Sequence, residues 1–107
     1  MIEKFSTLKK HINVSHETLE KLVIYFDLLS FWQKKMNLVS NNSLQDAEIR
    51  HFLDSAQLYN FCKNLNGNKL DLGSGAGFPG AVLSILGVSK IFLVESNKKK
   101  CNFLSKL

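Results

Sequence analysis

The first two thirds of the chain carries apolar residues at helical spacing. A broad apolar face after Ser15 predicts one long helix with a core side: Leu19, Leu22, Val23, Phe26, Leu29, Trp32 and Met36. A shorter helix is predicted before it from Ile2, Phe5, Leu8 and Ile12. Ser43 with Asp46 predicts the start of a third helix, whose apolar positions are Ala47, Phe52, Leu53, Leu58, Phe61 and Leu65. Turn-favouring residues around Gly67 end this helical region, which we place at residues 1–66.

The periodicity changes over residues 67–107. Residues 69–72 are a short apolar run before a glycine cluster, residues 79–86 predict a helix with Pro79 near its start, and residues 91–94 are rich in β-formers and end on Glu95. Ser96 is predicted to cap a further helix beginning at Asn97, inside which the chain ends at Leu107. We therefore predict an α/β chain in which helices precede one β-α-β unit, with the first strand buried.

Composition limits the possible classes of protein. A chain of 107 residues, 45% hydrophobic and 21% charged, is typical of a single folded domain. It contains no run of about 20 apolar residues and its first residues resemble no secretory signal, so we expect a cytoplasmic protein. Cys62 and Cys101 form no C-x-x-C pair; we expect buried or half-buried reduced thiols, and no metal site.

Net charge is the next constraint. The formal charge of +5 is compatible with a polyanionic partner such as a nucleic acid, because phosphates attract distributed positive charge. Thirteen of the fourteen basic residues are lysines, Arg50 being the exception, and surface lysines usually serve only solubility. Charge alone therefore does not decide the partner.

The candidate chemistry lies in the glycine cluster. Gly73, Gly75 and Gly77 follow the first predicted strand, where they allow positive φ and close approach of a ligand to the backbone. A dinucleotide fingerprint, G-x-G-x-x-G, fails from Gly73, because its third glycine would fall on Phe78. A register shifted to Gly75 fits the expression but begins two residues late and places Pro79, which lacks an N–H, near the phosphates.

S-adenosylmethionine accounts for two further residues. Asp71, at the end of the first strand, would repel a pyrophosphate but could attract the cationic amino-acid end of this cofactor. Glu95 ends the next strand, 24 positions later, where a carboxylate can accept both ribose hydroxyls. The alternative is a purely structural turn beside an incidental acidic residue.

A longer combination of motifs resembles one family. Asp71-x-Gly73-x-Gly75-x-Gly77-Phe78-Pro79-Gly80, preceded by Arg50-His51-Phe52-Leu53-Asp54-Ser55 and by Trp32 with Asn37-Leu38, resembles the small-subunit ribosomal RNA methyltransferase G family, also called glucose-inhibited division protein B. Val94-Glu95-Ser96, with Lys99, Lys100, Phe103 and Leu104, is similar to the same family's next strand and helix. Two positions depart from the expected pattern: Val39 replaces a Thr, and Asn102 replaces a basic residue whose loss could weaken an RNA contact.

The resemblance implies a Rossmann-like, S-adenosylmethionine-dependent bacterial enzyme that methylates N7 of a guanine in 16S ribosomal RNA. It implies that Gly73 and Phe78 contact the cofactor, that Ser74 and Gly75 supply backbone contacts, and that Glu95 holds the ribose. Guanine N7 has a lone pair and no proton to remove, so we assign no catalytic acid, base or nucleophile. His51 and Asp54 could order the loop, touch RNA or simply pack, and residues 98–100 could meet phosphate or be solvated.

A complete doubly wound domain needs about six strands, whereas two are predicted here. We therefore expect an incomplete methyltransferase domain that is inactive alone, with its helices packed as a bundle on one sheet face and a free sheet edge that a complementing fragment or a second copy could cover. A non-catalytic RNA-binding or ribosome-binding module, and less readily a dinucleotide-dependent oxidoreductase fragment, stay open as alternatives.

Overall fold

The protein is a mixed helical and strand structure built on a two-stranded parallel sheet. The computed structural model describes residues 5–107, so the predicted role of Ile2 in the first helix lies outside the described residues. The elements, in chain order, are α1 (Ser6–His11), α2 (His16–Gln33), α3 (Asn41–Gln45), a π-helical segment (Glu48–Leu53), α4 (Asp54–Ala56), α5 (Tyr59–Cys62), β1 (Lys69–Leu72), α6 (Gly80–Ile85), β2 (Ile91–Val94) and α7 (Lys98–Leu104).

Helix α2 is the long helix that the sequence predicts. Ser15 caps it, since its side chain accepts a hydrogen bond from the Thr18 amide, an interaction worth about 1 kcal/mol. The helix ends at Gln33 rather than continuing to Met36. The buried Gln33 amide accepts from the Leu38 N–H at 3.0 Å and donates to the Val39 carbonyl at 2.7 Å, which fixes the turn after the helix.

The predicted third helix is wrong as one continuous element. It begins after Ser40, whose side chain caps α3, and not at Ser43, and it is divided into α3, the π-helical segment, α4 and α5. The extra residue per turn in a π-helix rotates the residues that follow it relative to a regular α-helix. Phe52 and Leu53 are buried as predicted. Three later residues predicted as core are instead exposed: Leu58, Phe61 and Leu65.

The predicted β-α-β order is confirmed, and both strands have the predicted bounds. β1 and β2 pair in parallel with Lys69 opposite Ile91 and Leu72 opposite Val94, and α6 connects them. α6 packs on β2, while α2 and α4 pack on α6, so the N-terminal helices reach the sheet chiefly through α6. The prediction that they lie directly on the sheet is thereby corrected.

One face of the sheet is open, which contradicts the prediction of a buried first strand. Side chains alternate along each strand, and the outward set is exposed: Leu70 by 64%, Leu72 by 72%, Phe92 by 51% and Val94 by 45%. Strands of parallel sheets are usually covered on both faces. In the described part of the chain, α6 covers only the opposite face.

The last helix also differs from expectation at both ends. Asn97, and not Ser96, caps α7 by accepting the Lys100 amide through its side chain. The helix ends at Leu104, three residues before the last residue. Cys101 is exposed rather than buried or half-buried, and its thiol donates to the Glu95 carbonyl at 3.0 Å. Cys62 is half-buried, as predicted.

The core joins the N-terminal helices, α1 to α5 (the helical layer), to the loop after β1. Phe5, Leu8, Leu22, Phe52 and Phe103 are fully buried in one cluster that also includes Ala76 of the loop. Within residues 5–107, no helix is both long and apolar enough to cross a membrane.

Candidate functional site

The loop after β1 folds back onto the end of β2. The amides of Gly73 and Ser74 both donate to the Val94 carbonyl, at 2.8 and 3.1 Å. The Ser74 hydroxyl donates to the Asp71 carbonyl at 2.7 Å, and the Ser74 carbonyl accepts the Gly77 amide at 2.7 Å. These bonds hold the loop over the carboxyl ends of both strands, which is where open α/β sheets bind ligands.

The three alternating glycines adopt the left-handed conformation that the sequence predicts for the turn. Their φ angles are +71° at Gly73, +54° at Gly75 and +96° at Gly77. The surroundings divide them into two kinds. A methyl group on Gly73 would meet no atom within 4 Å, whereas one on Gly77 would come within 2.6 Å of the Tyr25 hydroxyl. Gly73 therefore faces open space and Gly77 faces the helical layer.

Glu95 lies directly across the loop from Gly75. One carboxylate oxygen accepts the Gly75 amide at 2.7 Å and the other accepts the Asn97 amide at 2.9 Å. These hydrogen bonds, the Asn97 one first, hold the pKa of the Glu95 carboxyl below its ordinary value. Each oxygen keeps a second lone pair, so the half-buried carboxylate can still accept a hydroxyl.

Asp71 points toward α6. Its carboxylate accepts the Gly80 amide at 3.0 Å, at the first residue of the helix. A methyl group on Gly80 would come within 2.8 Å of the same carboxylate oxygen and would overlap the Leu93 side chain. Gly80 therefore allows α6 to lie close against both strands. The predicted attraction of Asp71 for a cationic cofactor group stays a prediction.

Phe78 joins the loop to the helices through stacked rings. Its ring stacks on His51 at a centroid distance of 4.7 Å and on Tyr25 at 5.4 Å, with Phe52 edge-on at 5.2 Å. His51 also shares a hydrogen bond of 2.9 Å with the Ser43 hydroxyl. Burial first, and then the adjacent Arg50 charge, lower the pKa of His51, which favours the neutral form of its ring. Much of the Phe78 ring is thus engaged within the chain.

Comparison with known proteins supplies the family. The model of the family described as rRNA small subunit methyltransferase G matches residues 18–107. The chain belongs to this family. The match includes every residue of the loop and both strands, so the sequence resemblance is confirmed.

Curated members of the family are similar over most of this chain. The chain is 48% identical over 95 residues to "Ribosomal RNA small subunit methyltransferase G" of Rickettsia bellii, covering 89% of the chain and 50% of that relative. Proteins of the same name are 50% identical over 91 residues in Paramagnetospirillum magneticum, covering 85% of the chain and 44% of the relative, and 47% identical over 100 residues in Orientia tsutsugamushi, covering 94% and 50%. The chain thus spans about half the length of these methyltransferase G relatives.

Several basic and acidic residues singled out from the sequence lie on the surface of this methyltransferase G family member. Asp54, Lys98 and Lys99 are exposed, and Lys100 is half-buried beside the loop. Arg50 forms a long, exposed ion pair with Asp46, at 3.8 Å. Among the described residues, no group of three or more His, Cys, Asp or Glu side chains is arranged to hold a metal ion.

Sequence reasoning missed Tyr25. Its hydroxyl donates to the Ala76 carbonyl in the glycine loop at 2.5 Å, although the two residues are 51 positions apart. Tyr25 lies between Leu22 and Leu29 on the buried face of α2. A tyrosine on such a face needs a hydrogen-bond partner for its hydroxyl, and that requirement is the signal that could have identified it.

Proposed function

We propose that this chain is the cofactor-binding half of an S-adenosylmethionine-dependent methyltransferase that acts in the bacterial cytoplasm on N7 of a guanine in 16S ribosomal RNA. One observation carries the cofactor assignment: the Glu95 carboxylate lies across a left-handed glycine loop, 2.7 Å from the Gly75 amide. The ribosomal RNA substrate rests on the description of the family and on the relatives' names. The position on guanine rests on the resemblance of the sequence motifs to that family.

The residues present fit this cofactor. The lone pairs that remain on Glu95 suit two ribose hydroxyls, and the open space beside Gly73 gives the ligand room to approach the backbone. Bound S-adenosylmethionine supplies a methyl group on a sulfonium. The chain itself needs only to orient the cofactor and exclude water, since guanine N7 attacks through its lone pair and requires no general base.

A dinucleotide is disfavoured at the same loop. The Gly80 amide, which would open the phosphate-binding helix in the shifted glycine register, is already bonded to the Asp71 carboxylate at 3.0 Å. That carboxylate would repel a pyrophosphate. Experiment can distinguish a module that binds only RNA from a cofactor-binding half. RNA binding by such a module would depend on salt concentration and would not change when Gly73 or Glu95 is substituted.

The first test is calorimetric titration with S-adenosylhomocysteine of the wild type and of Gly73→Ala. We expect the added methyl group to weaken binding at least tenfold, because it projects into the open space that we assign to the cofactor. The left-handed φ of +71° should cost the fold about 1 kcal/mol in addition.

Gly67→Ala is the matched control, since Gly67 has a φ of +88° and an equally open surrounding but lies outside the loop. It should lose similar stability and keep the affinity of the wild type. Equal affinity of Gly73→Ala and Gly67→Ala would contradict a cofactor at Gly73. If the folded wild type bound no S-adenosylhomocysteine, the chain would share ancestry with the methyltransferases but would not form their cofactor site.

We further propose that the open sheet face, formed by Leu70, Leu72, Phe92 and Val94, packs against a polypeptide equivalent to the second half of the family's domain. This face is a contiguous apolar surface on a parallel sheet, an element that needs cover on both sides. The chain spans only about half the length of its relatives, so their remaining half is the fitting occupant, whether it is continuous with this chain or supplied separately.

Mixing the chain with a polypeptide that spans the second half of the Rickettsia bellii relative tests this docking. We expect a one-to-one complex by light scattering, at least tenfold weakened by Leu72→Lys, because a desolvated ammonium is costly in an apolar contact. Ile24→Lys, at a residue that is 60% exposed on α2, should leave the complex intact. A homodimer that Leu72→Lys disrupts, or no association at all, would contradict the proposed occupant.

A further inference from the structure

We propose that Tyr25 is a positioning residue, which fixes the glycine loop in the conformation that receives the cofactor. The identity of this cofactor rests on the proposed function. Tyr25 lies in the N-terminal helical region, 51 positions before its partner Ala76 and outside the β-α-β unit.

The hydrogen bond from Tyr25 reaches the middle of the loop. Its hydroxyl donates to the Ala76 carbonyl, and Ala76 is flanked by Gly75, which Glu95 holds, and by Gly77. Tyr25 and Ala76 are only 2% and 5% exposed. A carbonyl at such a site loses a partner that water cannot easily replace, so the bond matters more than an exposed one would.

Tyr25 contacts three consecutive loop residues in different ways. Besides the bond to Ala76, its hydroxyl occupies the space where a Gly77 side chain would begin, and its ring stacks on Phe78 at 5.4 Å. Glycines at 73, 75 and 77 give this loop more backbone freedom than residues with a Cβ atom would at the same positions. A contact that spans residues 76–78 removes that freedom before the ligand arrives, and less entropy is then lost on binding.

The Tyr25 hydroxyl stays protonated and can therefore always donate its hydrogen bond to Ala76. Burial, and then the nearby Asp71 charge, raise the pKa of its phenol far above the physiological range. The hydroxyl therefore keeps its proton wherever the protein is folded. Helix α2 is itself fixed by Ser15 and by a row of buried leucines, so the donor is held on a rigid element.

The test compares Tyr25→Phe with Tyr59→Phe. The first change removes the donor and keeps the ring stacked on Phe78. The second makes the same chemical change at the only other tyrosine, a half-buried residue of α5 whose ring lies beneath Lys63. Amide hydrogen exchange is measured over residues 74–78 and normalised to the amides of α2 in the same sample, and affinity for S-adenosylhomocysteine is measured beside it.

We expect Tyr25→Phe to accelerate loop exchange about fivefold to tenfold relative to α2 and to weaken binding about tenfold, with Tyr59→Phe unchanged in both. Loop exchange that is the same in wild type and Tyr25→Phe would overturn the proposal. Faster exchange in α2 and the loop alike would also overturn it, since Tyr25 would then act on general stability only. A wild type that binds no S-adenosylhomocysteine would contradict the proposed function, while the exchange measurement would still decide the role of Tyr25.

Discussion

Gly77→Ala should destabilise the folded chain by about 3 kcal/mol, the largest loss we expect from adding a single methyl group in the loop. The methyl group would come within 2.6 Å of the Tyr25 hydroxyl and 3.0 Å of the Ala81 side chain, in a backbone with a φ of +96°. It would have to displace the donor that holds Ala76. The measurement is the midpoint of urea unfolding, compared with that of the wild type.

Gly87→Ala is the control for this change. Gly87 has a φ of +106° with no atom within 4 Å of an added methyl group, so it bears the conformational cost alone, about 1 kcal/mol. The difference between the two variants isolates the steric conflict with the helical layer. If Gly77→Ala and Gly87→Ala lost the same stability, Tyr25 and the loop would accommodate the methyl group without a free-energy cost. The close packing around Gly77 would then not contribute to stability.

Glu95→Gln should weaken S-adenosylhomocysteine binding about a hundredfold, the largest effect on affinity that we expect. The carboxylate accepts backbone N–H groups from Asn97 and Gly75 with its two oxygens, whereas a glutamine amide would present its NH₂ group to one of these donors. The change therefore disturbs the loop and removes one of the acceptors assigned to the ribose. Calorimetry at neutral pH measures the affinity.

The same residue predicts a dependence on pH. Because the folded pKa of Glu95 is lowered, its stabilising contribution is present above its ordinary pKa of 4.5 and is lost as the pH falls through the lower folded value. The amide resonances of Gly75 and Asn97 should titrate together with a midpoint below 4.5 in the wild type and should not titrate in Glu95→Gln. Independent midpoints for the two amides would contradict a shared carboxylate.

Glu20→Gln is the control for both experiments on Glu95. Glu20 lies on the surface of α2 and pairs with the exposed His16, an interaction that contributes little to stability. It should bind S-adenosylhomocysteine as the wild type does. If Glu95→Gln also kept full affinity, the carboxylate would have a structural role in the loop and the ribose assignment would fall.

Local patterns predicted the elements whose causes are local. The apolar repeat after Ser15 indicated α2, and the change from helical to β-rich runs at Lys69 and Ile91 gave both strands and their order. The left-handed backbone at the three glycines follows from the absence of a Cβ atom. Glu95 could be placed beside the loop because parallel strands carry their carboxyl ends to one edge.

Helical periodicity failed where packing overrides it. The residues after Asn41 continue a helical pattern in sequence, yet the π-helical segment sets Phe52 against the core and leaves Phe61 74% exposed. Periodicity assumes a constant number of residues per turn, and it cannot register one extra residue. Periodicity also cannot choose between Ser40 and Ser43, or between Ser96 and Asn97, as the helix cap. Each pair offers two side chains that can cap a helix within one turn.

The sequence alone determined the family, the β-α-β order and the glycine loop with its acidic neighbour, since each depends on residues close together in the chain. Only the tertiary structure decided what surrounds the loop. It brought the Tyr25 hydroxyl to Ala76, stacked His51 on Phe78 and directed Asp71 to the Gly80 amide. Distances between residues tens of positions apart follow from how helices pack around a shared core, and no spacing along the chain encodes that packing.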